Sequence, residues 1–214
     1  MELTFLMQTC VAGMAVTAFL MASRMRLKTL FTLYSLQGVL LAVAVALFAA
    51  VHHDLAAYAV AAVILVLKGG LIPRWLVETV RAHGMSERLA SFLRPTTLAF
   101  ASLLAIFFAG YIARTVALSG VSHVVLASSI ALLFIGFIML VSRKDMVGLA
   151  AGFLVVENGV FTLGLALTGG MPLLVELGIL FDLSVLFVLV LAFARRAHRE
   201  HASLETEFLN ELIG

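Results

Sequence analysis

The sequence predicts an all-α integral membrane protein of about seven transmembrane helices forming a single membrane domain. Three observations carry that prediction. Of 214 residues, 63% are hydrophobic and only 12% are charged, against about a quarter charged in an ordinary soluble domain. The apolar residues fall in continuous runs, and a helix needs about 20 of them to cross the hydrocarbon core. Basic residues collect in alternate connections between those runs, as they do on the cytoplasmic side of membrane proteins. With Gly 16, Pro 3 and a mean hydropathy of +1.15, disordered and collagen-like chains are excluded. A transmembrane β-barrel is excluded too, because the runs lack dyad alternation. The single Cys10 forms no intrachain disulfide, and no Cys/His cluster has metal-ligand spacing.

Taken in chain order, the apolar runs place spans at Leu3–Ala22, Leu30–Val51, Leu55–Ile72, Thr96–Leu118, Ser122–Val141, Met146–Thr168 and Leu173–Ala194. The first lacks a positive leading segment and is followed by basic residues, so it is expected to be a retained helix. Twelve of the 14 Lys and Arg residues fall on one side: Arg24, Arg26 and Lys28; Arg74, Arg81, Arg88 and Arg94; Arg143 and Lys144; Arg195, Arg196 and Arg199. That asymmetry predicts an external N-terminus and a cytoplasmic C-terminus. The Arg74–Arg94 connection mixes Trp75, Glu78, Arg81, Glu87 and Arg88 and predicts a short amphipathic helix on the cytoplasmic surface. After Arg199, apolar Leu204, Phe208, Leu209, Leu212 and Ile213 recur at helical spacing beside Glu205, Glu207 and Glu211. Such a tail suits a cytoplasmic protein partner or is a solvated end.

Two stretches are alike, SRMRLKTLFTLYSLQGVLLAVAVAL from Ser23 and SRKDMVGLAAGFLVVENGVFTLGLAL from Ser142. Each is a basic turn opening an apolar helix with a polar residue near its middle. The expected organisation is a parallel 3+1+3 repeat: a three-helix unit (1–73), a linking helix (96–118), a second three-helix unit (122–199) and the tail (200–214). An odd-numbered unit keeps its orientation in the second copy only if one extra helix separates the two. Chance similarity among Leu, Ala and Val runs is the alternative.

Ionisable residues inside spans are costly and mark function by default. Glu157 and Asp182 lie near mid-depth of the sixth and seventh spans. A carboxyl there serves either as a proton relay or as a permanently protonated hydrogen-bond donor between helices. Lys68, followed by Gly69, Gly70 and Pro73, which loosen its helix, either snorkels to the interface or acts as the positive partner of a carboxylate. Glu176 marks the outer mouth of a path or a solvated helix start. Gln37 and Asn158 hydrogen-bond across helices or hold water. His52, His53, Asp54 and His123 lie near the outer surface, and the phenylalanines Phe100, Phe107, Phe134 and Phe137 form lipid-facing or packing surface.

The run SRKDMVGLAAGFLVVENG, followed by VELGILFDLSVLFVLVLAFARR, resembles the K subunit of respiratory complex I and the C subunit of Mrp-type antiporters. In that family a basic turn opens a helix with a membrane glutamate, and the next helix bears a second acid before a closing Arg pair. Asp182 stands at the second acid. At the first, Leu154 holds the expected position and Glu157 lies three residues later, on nearly the same helical face. The displaced ENG, the extra N-terminal helices, the LKGGLIPRWL segment around Lys68 and the closing HASLETEFLNELIG resemble a narrower family, component E of hydrogenase-4 and related formate hydrogenlyase-type complexes. The resemblance is most specific at Glu157–Gly159, Glu176–Asp182 and the Lys68 segment. It implies a non-catalytic membrane-arm subunit in a bacterial or archaeal cytoplasmic (inner) membrane. Expected partners are antiporter-like membrane subunits, a membrane anchor subunit and a cytoplasmic nickel-iron hydrogenase module, and nickel-iron and iron-sulfur centres would reside in those partners. Glu157, Asp182, Lys68 and Glu176 would then be proton-relay residues, supported by Asn158, Gln37, Arg143 and Lys144.

Overall fold

A computed structural model describes residues 2–82, 89–116 and 120–168 of the chain. The expected seventh span at Leu173–Ala194, with Glu176 and Asp182, lies outside the described residues, as does the 200–214 tail. The described chain is helical: α1 (Glu2–Ser23), α2 (Leu27–His52), α3 (Leu55–Val66), a π-helical turn (Leu67–Leu71), α4 (Ile72–Ala82), α5 (Pro95–Thr115), α6 (His123–Ser142) and α7 (Met146–Thr168). Six helical stretches, counting Leu55–Glu78 as one, are long and apolar enough to cross a membrane. The protein is therefore described as a multi-pass membrane protein.

The span boundaries follow from local chemistry. Asp54 opens α3 by accepting hydrogen bonds from the Ala56 and Ala57 amides, and His53 closes α2 in the left-handed conformation, φ 53°. Pro95 sits in the first turn of α5, where its missing N–H costs nothing. The third span differs from its expected end at Ile72. The helix continues without interruption to Ala82, so the Arg74 and Glu78 face is an extension of the span, with Ile72 and Leu76 buried on its inner side.

In the packing, α1 lies against α2, α5 and α6, α2 bridges α1 to α3, and α6 is sandwiched between α5 and α7. The α6–α7 seam is built on glycine. A Cβ on Gly136 would stand 2.7 Å from the Val156 backbone nitrogen, while one on Gly152 or Gly159 would meet α6 backbone at 3.0 Å. Lipid is as apolar as leucine, so close backbone approach between small residues, and not hydrophobic burial, drives this contact. Gly152 and Gly159 are seven residues apart, two turns along the same face of α7, while a Cβ on Gly148 would meet the Arg143 and Asp145 side chains instead.

Three turns meet at one end of the bundle. Leu89 donates its amide to Met25 O, Phe92 to Ser142 O, and Lys144 to Ala90 O, and Ser91 pairs with Arg143 in an isolated antiparallel bridge. Asp145 accepts from Gly148 N at 2.7 Å, stitching the first turn of α7, and from Ala90 N at 3.0 Å. Through these bonds the α1–α2 and α6–α7 turns share one face.

Candidate functional site: a buried ion pair between helices

A helix that must place Lys68 inside the bundle meets Pro73 five residues later. Proline has no N–H, so the Gly69 carbonyl, four residues before it, loses its regular helical donor. Two adjustments satisfy the backbone. The helix widens, with Ile72 N bonding Leu67 O across five residues, and the Ser35 hydroxyl on α2 donates to the Gly69 carbonyl. Side-chain hydroxyls and local π turns are how membrane helices re-satisfy carbonyls freed by proline. The turn fits against α2 only because residue 38 is glycine. A Cβ there would lie 2.7 to 2.8 Å from the Lys68 carbonyl and the Gly69 nitrogen.

So positioned, Lys68 is 3% exposed and points into the bundle. Its Nζ donates to Glu157 Oε1 at 2.5 Å and to Asn158 Oδ1 at 2.9 Å, both on α7. Glu157 is 4% exposed, and Asn158 and Gln37 are fully buried. The network continues to α1. Asn158 Nδ2 donates to Gln37 Oε1 at 3.0 Å, and Gln37 Nε2 donates to the Met14 carbonyl at 3.1 Å. Thr162 Oγ1 donates to the Asn158 and Gly159 carbonyls one turn further along α7.

The direction of this chain is set at its fixed end. A backbone carbonyl only accepts, so Gln37 presents its NH2 to Met14 and its oxygen to Asn158. Asn158 must then present its NH2 to Gln37 and its oxygen to Lys68. The acceptor at the end of the chain faces a cation.

Depth follows from helix rise. Glu157 lies eleven residues past Met146, about 16 Å along α7 at 1.5 Å per residue, close to half of a ~30 Å hydrocarbon core. Gln37, ten residues past Leu27, reaches about the same height. A lone charge there costs about 2.5 to 3.5 kcal/mol on insertion scales. A Lys–Glu pair with zero net charge and further hydrogen bonds offsets much of that cost, although desolvation of a buried pair rivals its attraction. The structure thus brings Lys68, Glu157, Asn158 and Gln37 together, and of the two sequence alternatives for Lys68 it shows the buried partner and not the snorkelling cation.

Arg143 and Lys144 belong elsewhere. Arg143, 2% exposed, lies at the bundle end, and its guanidinium donates to the Met21, Ala22 and Arg24 carbonyls at 3.2, 3.1 and 2.7 Å. Burial lowers its pKa from the ordinary arginine value and Asp145 pulls it back up. Lys144 is exposed, its Nζ 4.4 Å from the Phe92 ring centroid. Arg143 precedes α7, and Glu157 lies eleven residues, about 16 Å of helix, past its first residue Met146. At the opposite end, His52 stacks on Phe48 with centroids 4.0 Å apart and bonds its carbonyl, and His123 bonds Ala113 O. Phe100, Phe107 and Phe137 are exposed, and Phe134 packs partly buried near Phe108. Sequence reasoning left out Ser35, Gly38 and Met14. Ser35 and Gly38 flank Gln37, but nothing in the sequence says they face a proline-freed carbonyl on another span. Among the described residues no group of three His, Cys, Asp or Glu side chains could hold a metal ion.

The chain is similar to the uncharacterized protein Rv0085 of Mycobacterium tuberculosis (strain ATCC 25618 / H37Rv), with 27% identity over 217 residues covering 98% of this chain and 96% of the relative. No family model matches the chain, and no solved structure matches it.

Proposed function

We propose that the chain is a non-catalytic membrane-arm subunit of a complex I-like, membrane-bound nickel-iron hydrogenase of the formate hydrogenlyase type, in which buried protonatable groups couple redox chemistry to ion movement. The observation that carries this reading is the Lys68–Glu157 ion pair at mid-depth. It joins two of the three segments on which the resemblance to hydrogenase-4 component E is most specific, and those segments lie 89 residues apart in sequence. An ion pair placed in hydrocarbon is expensive to maintain and answers strongly to a nearby change of charge. At an effective dielectric of about 20, a unit charge at ~7 Å is felt at roughly 2.4 kcal/mol.

In this proposal the N-terminus is external and the C-terminus cytoplasmic, in the inner membrane of a bacterium or archaeon. The three joined turns face the cytoplasm. Seven spans form the parallel 3+1+3 repeat, with Asp182 and Glu176 of the seventh extending the path begun by Lys68 and Glu157. Antiporter-like subunits, a membrane anchor and the hydrogenase module are its partners, and they carry the nickel-iron and iron-sulfur centres.

One observation favours a second reading. The pair is enclosed by hydrogen bonds on several sides, as an inert interhelical clasp would be. The test is isolation of the chain from native membranes in mild detergent, identification of its companions by mass spectrometry, and assay for nickel and hydrogen turnover. Companions resembling antiporter subunits together with nickel support the proposal. Companions without nickel redirect it to an Mrp-type or other complex I-like assembly, and a solitary chain sinks it in favour of a free-standing transporter. In the intact complex, Glu157→Gln is expected to leave assembly in place and abolish ion coupling; unchanged coupling identifies the clasp.

A further inference from the structure

The oxygen atoms around Lys68 resemble the beginnings of a cation site, and the cation already in it is part of the chain. Glu157 Oε1 and Asn158 Oδ1 both point at Nζ. Gln37 Oε1, one link further along the network, is engaged by Asn158 Nδ2. A hard metal ion needs a shell of several oxygen ligands, and here each of these three faces a donor. Resting on the proposed coupling role, we infer that the ion exchanged at Glu157 is a proton and not sodium, because the Lys68 ammonium holds the place a metal cation would need.

Two features keep Lys68 there. Its backbone carbonyl is pressed against Gly38 with no space for even a methyl group between the helices. Its side chain is 3% exposed, so an ammonium displaced by sodium would remain buried in the bundle. Charge counting points the same way. Among the described residues, Lys68 and Glu157 are the only Lys, Arg, Asp or Glu in the middle of a span, since Glu2, Lys28, Arg74, Glu78 and Arg114 lie toward span ends. Sodium beside Lys68 would leave a net positive charge at mid-depth, which insertion scales penalise.

A proton needs no such displacement. Along the Nζ–H···Oε1 hydrogen bond, an N–H bond breaks and an O–H bond forms. The ammonium becomes an amine and the carboxylate a carboxylic acid, with no electron transferred and zero net charge before and after. The other titratable groups on the packed elements are few. The Tyr34 phenol is buried on α2, which carries Lys28 and His52 at its two ends; α1 contributes Cys10 and the terminal Glu2, α6 only His123 at its start, α3 only Tyr58, and α4, beyond the π turn, Arg74, Glu78 and Arg81.

Carbodiimide labelling tests this on the native protein. Dicyclohexylcarbodiimide adds across its C=N bond to a protonated carboxyl, the acid proton passing to nitrogen and the carboxyl oxygen to carbon. A metal cation bound at that carboxyl protects it. The full chain, in native membranes, would be labelled over a range of pH with and without sodium, and the adduct on Glu157 quantified by peptide mass spectrometry. The expected result is a rate at Glu157 that falls as pH rises and changes less than about twofold with saturating sodium. Protection of about tenfold or more, equivalent to a tenfold shift in occupancy, overturns the inference. Lys68→Met, which empties the cation position, is expected to acquire sodium protection at alkaline pH; a folded Lys68→Met that stays blind to sodium overturns it as well. If that variant does not fold, the wild-type result decides. Companion identification is indifferent to sodium, so failure here and failure of the subunit proposal are distinguishable.

Discussion

At the level of single residues, the Lys68–Glu157 pair predicts an asymmetry between breaking the bridge and replacing it. Removing one partner strands a charge or an unmet donor at mid-depth, and breaking a buried pair costs about 3 to 5 kcal/mol. Lys68→Met and Glu157→Leu should each lower the unfolding free energy of the purified chain by an amount in that range. The double variant, apolar on both sides, should lose clearly less than the sum. A double-mutant cycle in detergent unfolding checks this, and additivity would show that the two side chains do not interact. The chemistry of each partner was legible in the sequence, because an ionisable residue in an apolar run announces itself. Their pairing was not. They are separated by 89 residues, and contact between two spans depends on helix rotation and order, which an apolar sequence encodes only weakly. The orientation of Asn158 is likewise invisible until the Met14 carbonyl fixes it through Gln37.

At the level of elements, the π turn explains how an inward-pointing lysine coexists with proline in one span. The glycine pair and Pro73 mark a loosened helix in the sequence, and the location of that loosening was legible. Its continuation to Ala82 was not, because the partner that rescues the broken hydrogen bond, Ser35, lies on α2. This dependence yields a specific epistasis. Ser35→Ala removes the hydroxyl donor and leaves Gly69 O lacking the partner that replaces the proline-deleted amide, at a cost of about 1 to 3 kcal/mol. Pro73→Ala supplies a backbone N–H at the position that can serve the same carbonyl. In a Pro73→Ala background, Ser35→Ala should therefore cost much less than in the native chain. Thermal unfolding of the four proteins measures the difference, and equal costs in both backgrounds would show that Ser35 does not substitute for the missing amide. The α7 glycines carry the parallel lesson. Gly152 and Gly159 could be spotted at their seven-residue spacing, while the partner face on α6, with Gly136 against Val156, emerged only from the packing.

Across the whole molecule, Arg143 ties distant parts of the chain together. Counting basic residues places it in a flank that orients spans, a reading that expects a solvated side chain. Instead it is buried, reaching back 119 to 122 residues to the Met21 and Ala22 carbonyls in the last turn of α1 and the Arg24 carbonyl just beyond it, where a helix end is short of backbone donors and carries partial negative charge. The same residue's backbone pairs with Ser91, so three connections converge on it. Lysine cannot imitate this, since its single ammonium lacks the planar fork that spans several carbonyls. Arg143→Lys and Arg143→Met should both loosen the end of the bundle while leaving the Lys68–Glu157 site, about 16 Å along α7 from its first residue, in place. The exposed Arg24 and Arg26 then become the sensitive reporters. Trypsin applied to the face carrying these turns should cleave at them about tenfold faster in either variant, the opening equilibrium having shifted by about 1.4 kcal/mol. Carbodiimide labelling of Glu157 should stay unchanged. Slow cleavage equal to that of the native chain would mean that the amide bonds of Leu89, Phe92 and Lys144 hold the turns without the guanidinium. Altered labelling at Glu157 would instead mean that the bundle end and the buried site are coupled through α7.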